Sequence, residues 1–130
     1  MRNATSRVLL VDCIPDNQQM YRESLELAGF DPIVTCEASS AFEHATAGPA
    51  DVIVIDTGYA ATNGLELIQR LRSDHRTRHA GVIVISGHVF LRDRAAAVKA
   101  GCDVFLPKPC LPETLLAAIT RLSRVKRHET

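Results

Sequence analysis

Two acids, a hydroxyl and an amine each stand directly after an apolar run. Asp12 follows Val8-Leu9-Leu10-Val11, Asp56 follows Val52-Ile53-Val54-Ile55, Ser86 follows Val82-Ile83-Val84-Ile85, and Lys108 follows Phe105-Leu106-Pro107. Taken singly, such a residue is often only a turn or a helix cap. Together they would place two carboxylates, a hydroxyl and an ammonium along one edge of a sheet. Asp56 stands out, because four apolar residues precede it and Thr57-Gly58 follow, so its carboxylate should emerge from a buried strand into a cleft. A carboxylate of this kind can be a nucleophile toward phosphorus if its own charge and that of the incoming phosphoryl group are both offset. A hard divalent cation held by oxygen ligands would supply one offset, and the Lys108 ammonium the other.

These residues need a sheet to position them, and the runs that precede them read as its strands. They are short, β-branched and continuously apolar rather than alternating, as expected of strands buried on both faces of a parallel sheet. Weaker runs at Pro32 to Cys36 and Asp103 to Leu106 complete five. Helical patterns lie between them. Asp16 is a candidate cap for a helix through Met20, Tyr21, Leu25 and Ala28, ended by Gly29. Ser40 and Glu43 suggest a capping box before Ala41, Phe42 and Ala45. Leu65, Ile68 and Leu71, then Ala95 and Val98 up to Gly101, mark two more helices. Leu115, Ala118, Ile119 and Leu122 mark the clearest one. Five βα units with tight right-handed crossovers predict a doubly wound α/β fold with strand order 2-1-3-4-5. The expectation is one domain over residues 1–130, frayed at 1–6 and 125–130.

Composition narrows the function. The chain has 130 residues with 15 basic and 15 acidic side chains, so no global charge favours nucleic acid or an anionic membrane surface. The longest apolar runs are far too short for a signal peptide or a membrane span. Cys13, Cys36, Cys102 and Cys110 show no CxxC spacing and no nearby histidine cluster, which reads as free thiols in a reducing cytoplasm. No glycine-rich phosphate loop follows the first strand, where Cys13-Ile14-Pro15 stands instead. That weighs against a flavin or nucleotide enzyme on this architecture.

In order and spacing, the strand-end motifs resemble the receiver domain of two-component response regulators, a flavodoxin-like three-layer sandwich. The matching segments are Val8 to Asp12 with Pro15-Asp16-Asn17, Asp51 to Asp56 with Asn63-Gly64-Leu65-Glu66-Leu67, Val84-Ile85-Ser86-Gly87, Ala100-Gly101-Cys102 and Leu106-Pro107-Lys108-Pro109. The resemblance implies that Asp56 accepts a phosphoryl group from a histidine kinase or a histidine phosphotransfer protein. It implies Mg2+ held by Asp12, Asp56 and the Gly58 main-chain carbonyl, and Ser86 and Lys108 on the phosphoryl oxygens. Phe105 would be an aromatic switch coupled to Ser86, and the Lys108-Pro109 bond would be cis. The expected output face is the fourth helix, fifth strand and fifth helix, presented to a downstream protein or output domain by a monomer or weak phosphorylation-dependent dimer. The activity implied is phosphotransfer to self and autodephosphorylation only.

Departures from the family pattern qualify this reading. Cys13 stands where the family usually has a second acid, and a neutral thiol is a poor ligand for a hard cation, so weakened Mg2+ affinity is expected. Three readings of Cys13 compete: a tolerated loss, a redox-sensitive thiol, or a receiver acting as an interaction module without phosphorylation. Gly58 and His88 occupy the positions that tune the lifetime of the phosphoryl group. His88 either orients water or lies on the surface. Val89-Phe90-Leu91 is either a partner contact or ordinary loop packing.

Overall fold

The computed structural model describes residues 6–48, 50–56, 64–87 and 91–128, with the side chains of 91, 92 and 124–128 left aside. Five strands, β1 (Arg7–Val11), β2 (Asp31–Thr35), β3 (Val52–Asp56), β4 (Gly81–Ser86) and β5 (Val104–Pro107), alternate with five helices. The helices are α1 (Pro15–Leu27), α2 (Ala38–Ala47), α3 (Gly64–Ser73), α4 (Leu91–Ala100) and α5 (Pro112–His128). All strand pairs are parallel, in the order β2-β1-β3-β4-β5, as the βα alternation predicts. Every residue of β3 and β4 is buried. This explains the unbroken Val/Ile runs, since both faces of these strands meet helices.

The alternate side chains of each strand feed two separate cores. Leu9, Val11, Ile53, Ile55, Val82 and Val84 pack with Leu67, Ile68 and Leu71 of α3, Ala41 and Ala45 of α2, and Ala97 of α4. Val8, Leu10, Val52, Val54, Ile83 and Ile85 pack with Tyr21 and Leu25 of α1 and with Leu115, Ala118, Ile119 and Leu122 of α5. Side chains alternate across a strand, so a one-residue slip of register would exchange the two sets.

Several local expectations need correction. The N-cap of α1 is Ile14, with Pro15 at the first helical position, and Asp16 lies inside the first turn. Proline fixes φ at a helical value and has no N–H to satisfy, so it sets the helix start. α2 begins at Ala38 with Glu37 as N-cap and no side-chain cap bond, so Ser40 lies inside the helix. Met20 and Ala28 are exposed, as are Leu65, Ala95 and Val98, while Leu67 and Ala97 turn inward. Gly29 does end α1: with φ 91° it lets its own N–H reach the Glu26 carbonyl and that of Phe30 reach Leu25. Ser6, expected to fray, accepts a hydrogen bond from the Asp31 N–H at 2.9 Å. α5 continues to His128, into the segment expected to fray.

Candidate functional site

Parallel pairing brings all carboxyl ends of the strands to one edge. Asp56 is the last residue of β3, paired with Ile85, and Ser86 ends β4 opposite Pro107. Val11 pairs with Ile55, so Asp12 is level with Asp56. Asp12, Asp56 and Ser86 are all buried. Lys108 enters from the loop after β5 and places its Nζ 2.8 Å from Asp56 Oδ1. The Lys108 main-chain N–H donates to the Ser86 carbonyl at 2.9 Å, so the loop carrying the amine hangs on the strand carrying the hydroxyl. The Lys108-Pro109 bond is cis, as the resemblance implies. Asp12, Asp56, Ser86 and Lys108 thus come together; Gly58, Asn63 and His88 lie outside the described residues, as do positions 89 and 90 of the apolar triplet.

Asp12 carries the unmet demand of this site. Its Oδ1 accepts the Ile14 N–H at 2.9 Å, but its Oδ2 is buried with no hydrogen-bond partner. Burial pushes the Asp12 pKa up and the neighbouring Asp56 charge adds to this, against the Ile14 hydrogen bond, the Lys108 charge and, least, the Asn17 side-chain amide. A buried carboxylate oxygen without a donor, beside a second carboxylate, is costly in a metal-free chain and is the kind of group a hard cation satisfies. The donor set therefore fits Mg2+, but thinly: no group of three or more His, Cys, Asp or Glu residues that could hold a metal occurs among the described residues.

Residues 8–120 match the response regulator receiver domain family. The chain belongs to the response regulator receiver domain family. Among its relatives is the polar-differentiation response regulator DivK of Brucella ovis, 27% identical over 105 residues that cover 81% of this receiver and 85% of DivK. The transcriptional regulatory protein PrrA of Mycobacterium bovis is 30% identical over 91% of the receiver, which spans 50% of PrrA. A CheY-like receiver domain protein from Methanospirillum hungatei superposes with a TM-score of 0.90 at 20% identity, covering 98% of this chain and all of that one. The chemotaxis response regulator CheY4 of Vibrio cholerae superposes with a TM-score of 0.84 at 24% identity, covering 92% of this chain and 99% of that one.

One departure of this receiver is covalent. Cys13 and Cys36, expected as free thiols, are joined in a disulfide with their Cα atoms 4.6 Å apart, while Cys102 and Cys110 are free. The sequence spacing carries no motif for the pair, but the strands do. Because Val11 pairs with Thr35, the residues just beyond β1 and β2 must lie side by side. In this state Cys13 offers no thiolate to a cation.

Supporting residues also escaped the sequence. The Gln18 side-chain amide donates to the Asp12 carbonyl, holding the loop after β1 against α1. The buried Tyr21 hydroxyl donates to the Cys110 carbonyl at 2.7 Å, tying α1 to the loop that carries Lys108. Burial raises the Tyr21 pKa, so the phenol stays protonated and keeps this bond. Phe105 is half-buried in β5, packed against the core on the α3 and α4 side, with the Arg94 guanidinium 5.9 Å from its ring centroid. No helix among the described residues is long and apolar enough to cross a membrane.

Proposed function

We propose that Asp56 is a phosphoacceptor. The observation that carries this reading is the Lys108 ammonium 2.8 Å from a buried Asp56 carboxylate, beside an Asp12 oxygen with no partner. A carboxylate oxygen of Asp56 attacks the phosphorus of a phosphohistidine on a histidine kinase or histidine phosphotransfer protein. An O–P bond forms, the P–N bond breaks, and the leaving imidazole takes up a proton. Asp12, Asp56 and the Gly58 main-chain carbonyl would hold Mg2+, which would supply positive charge to offset the phosphoryl oxygens, with an affinity lowered by the sulfur at position 13. Lys108 stays beside the transferred group, and Ser86 donates its hydroxyl to a phosphoryl oxygen.

The product adds about −1.5 to −2 charges at this edge. That local change biases Ser86 and Phe105, and through them the surface formed by α4, β5 and α5, toward the form a downstream protein or output domain recognises. Gly58 and His88 set how long the phosphoryl group survives. Catalysis is confined to this self-phosphotransfer and to autodephosphorylation. The domain works in the cytoplasm as a monomer or weak phosphorylation-dependent dimer, with no direct contact to nucleic acid or membrane.

A second reading, a receiver used as a phosphorylation-independent interaction module, is favoured by Cys13 itself, which puts sulfur where a carboxylate would bind a hard cation. Intact mass after incubation with acetyl phosphate and Mg2+ separates the two. A gain of one phosphoryl group, absent in Asp56→Asn, is expected. No adduct at high acetyl phosphate and Mg2+ concentrations would leave the second reading standing.

A further inference from the structure

We propose that Cys13 and Cys36 are a reversible redox pair, and that its state sets the cation affinity of the neighbouring carboxylates. The second part rests on the reading of Asp12 and Asp56 as cation ligands. The two cysteines follow adjacent parallel strands, and both are half-buried, so small oxidants and reductants can reach them. Cys13 Sγ also lies 3.2 Å from the Cys36 carbonyl oxygen, which can accept the S–H of the reduced form. Opening the bridge therefore leaves the thiol a local partner, and the pair can cycle without unfolding. In a reducing compartment, disulfides of this kind are transient and redox-sensing rather than structural.

The oxidant is a peroxide. One thiolate attacks an oxygen of hydrogen peroxide, the O–O bond breaks, a sulfenic acid forms, and the leaving hydroxide takes up a proton to depart as water. The second thiol then attacks the sulfenic sulfur, the S–S bond forms, and a second water leaves. Two electrons pass from the thiols to the peroxide. A cellular dithiol returns them by thiol–disulfide exchange through a mixed disulfide.

The bridge matters to the site because Cys13 is covalently next to Asp12. The Asp12 loop is held by the Asp12 N–H donating to the Thr35 carbonyl, by the Ile14 N–H donating to the Asp12 carboxylate and by the Gln18 amide, and the disulfide is its one covalent tie to the loop after β2. Oxidation holds the loop in the arrangement that buries Asp12 Oδ2 beside Asp56, so less ordering is left to the cation. Reduction removes that covalent tie, leaves the loop to its hydrogen bonds and weakens binding, by roughly tenfold, the lower range for losing groups that orient a metal ligand.

The test compares peroxide-treated and dithiothreitol-treated protein. Tryptic digestion without reductant is expected to yield the peptide holding Cys13 joined to the one holding Cys36 after peroxide, and separate peptides after dithiothreitol. Calorimetric titration with Mg2+ alone is expected to show tighter binding to the oxidised chain, and no redox dependence in Cys36→Ser. Absence of the joined peptide, equal Mg2+ affinity in the two states, or a redox effect that persists in Cys36→Ser would each overturn the proposal. Neither readout uses phosphorylation, so a failure of Asp56 to form an adduct counts against the phosphoacceptor reading alone.

Discussion

At the amino edge of the sheet, Arg72 spends all of its donors. Its Nε and Nη2 reach the Gly101 carbonyl at 3.0 and 2.8 Å, and Nη1 reaches Arg78 and Ala80 at 2.7 and 2.6 Å. Nη2 also meets Asp103 Oδ2 at 2.8 Å, and that oxygen takes the Val82 N–H as well. At the carboxyl edge, Lys108 brings one ammonium to Asp56, while Asp12 Oδ2 is left with no donor. Both edges carry acids and a base among strand ends. Among the described residues, one is closed by its own side chains, while the other leaves a buried carboxylate oxygen without a hydrogen-bond donor. A satisfied network rigidifies, whereas an unsatisfied one is a cost that a fold retains at sites of function.

The contrast can be broken most strongly at Arg72. Replacing it by leucine keeps much of the side-chain volume but leaves three carbonyls and the Asp103 carboxylate without their donor. Urea unfolding is expected to show a loss of about 3 kcal/mol. Cation binding at the other edge should be unchanged. A loss below about 1 kcal/mol would mean that water replaces the guanidinium and the amino edge is no more closed than the other.

Two helix ends sharpen the same point at smaller scale. Gly29 and Gly101 both end helices at positive φ, 91° and 122°. A Cβ at Gly29 would meet nothing within 4 Å, while one at Gly101 would lie 2.7 Å from Arg72 Cγ. Gly29→Ala is expected to cost about 1.5 kcal/mol from backbone strain alone. Gly101→Ala should cost roughly 2–3 kcal/mol, because the Arg72 side chain must also move. Equal thermal shifts in the two variants would show that the Arg72 network yields freely.

The strands and the convergence of Asp12, Asp56, Ser86 and Lys108 were legible because both depend on local sequence. β-branched runs mark buried strands, and parallel pairing then sends every strand-end residue to one edge. Arg72 was not legible, since its partners lie up to 31 residues away and a basic residue in the last turn of a helix usually signals only the helix end. The phase of α3 was also misjudged. Leu65, Ile68 and Leu71 step by three and drift about 60° per step around the helix. Leu67, Ile68 and Leu71 with Gly64 form a narrower stripe, and that is the face buried. The Cys13–Cys36 bridge needed the β1–β2 register, which spacing alone does not give.

The smallest expected effect lies at Asp12, and it tests the open edge directly. Its carboxyl has a raised pKa in the folded chain relative to the ordinary 3.8, from burial first and the Asp56 charge after it. The folded state therefore holds this proton more tightly than the unfolded state does. The resulting stability is fully present below 3.8 and is lost as pH rises through the higher folded value. Metal-free protein at neutral pH thus carries a net penalty at this residue. Asp12→Asn should relieve it, raising stability by about 1 kcal/mol at pH 7 while weakening Mg2+ binding. Urea midpoints across the acid range should converge for the two proteins as pH falls and separate as it rises. Saturating Mg2+ should reverse their order at neutral pH, because the cation stabilises only the chain that binds it. If Asp12→Asn instead destabilises the metal-free chain at every pH, the carboxyl edge is internally satisfied, and its difference from the Arg72 edge disappears.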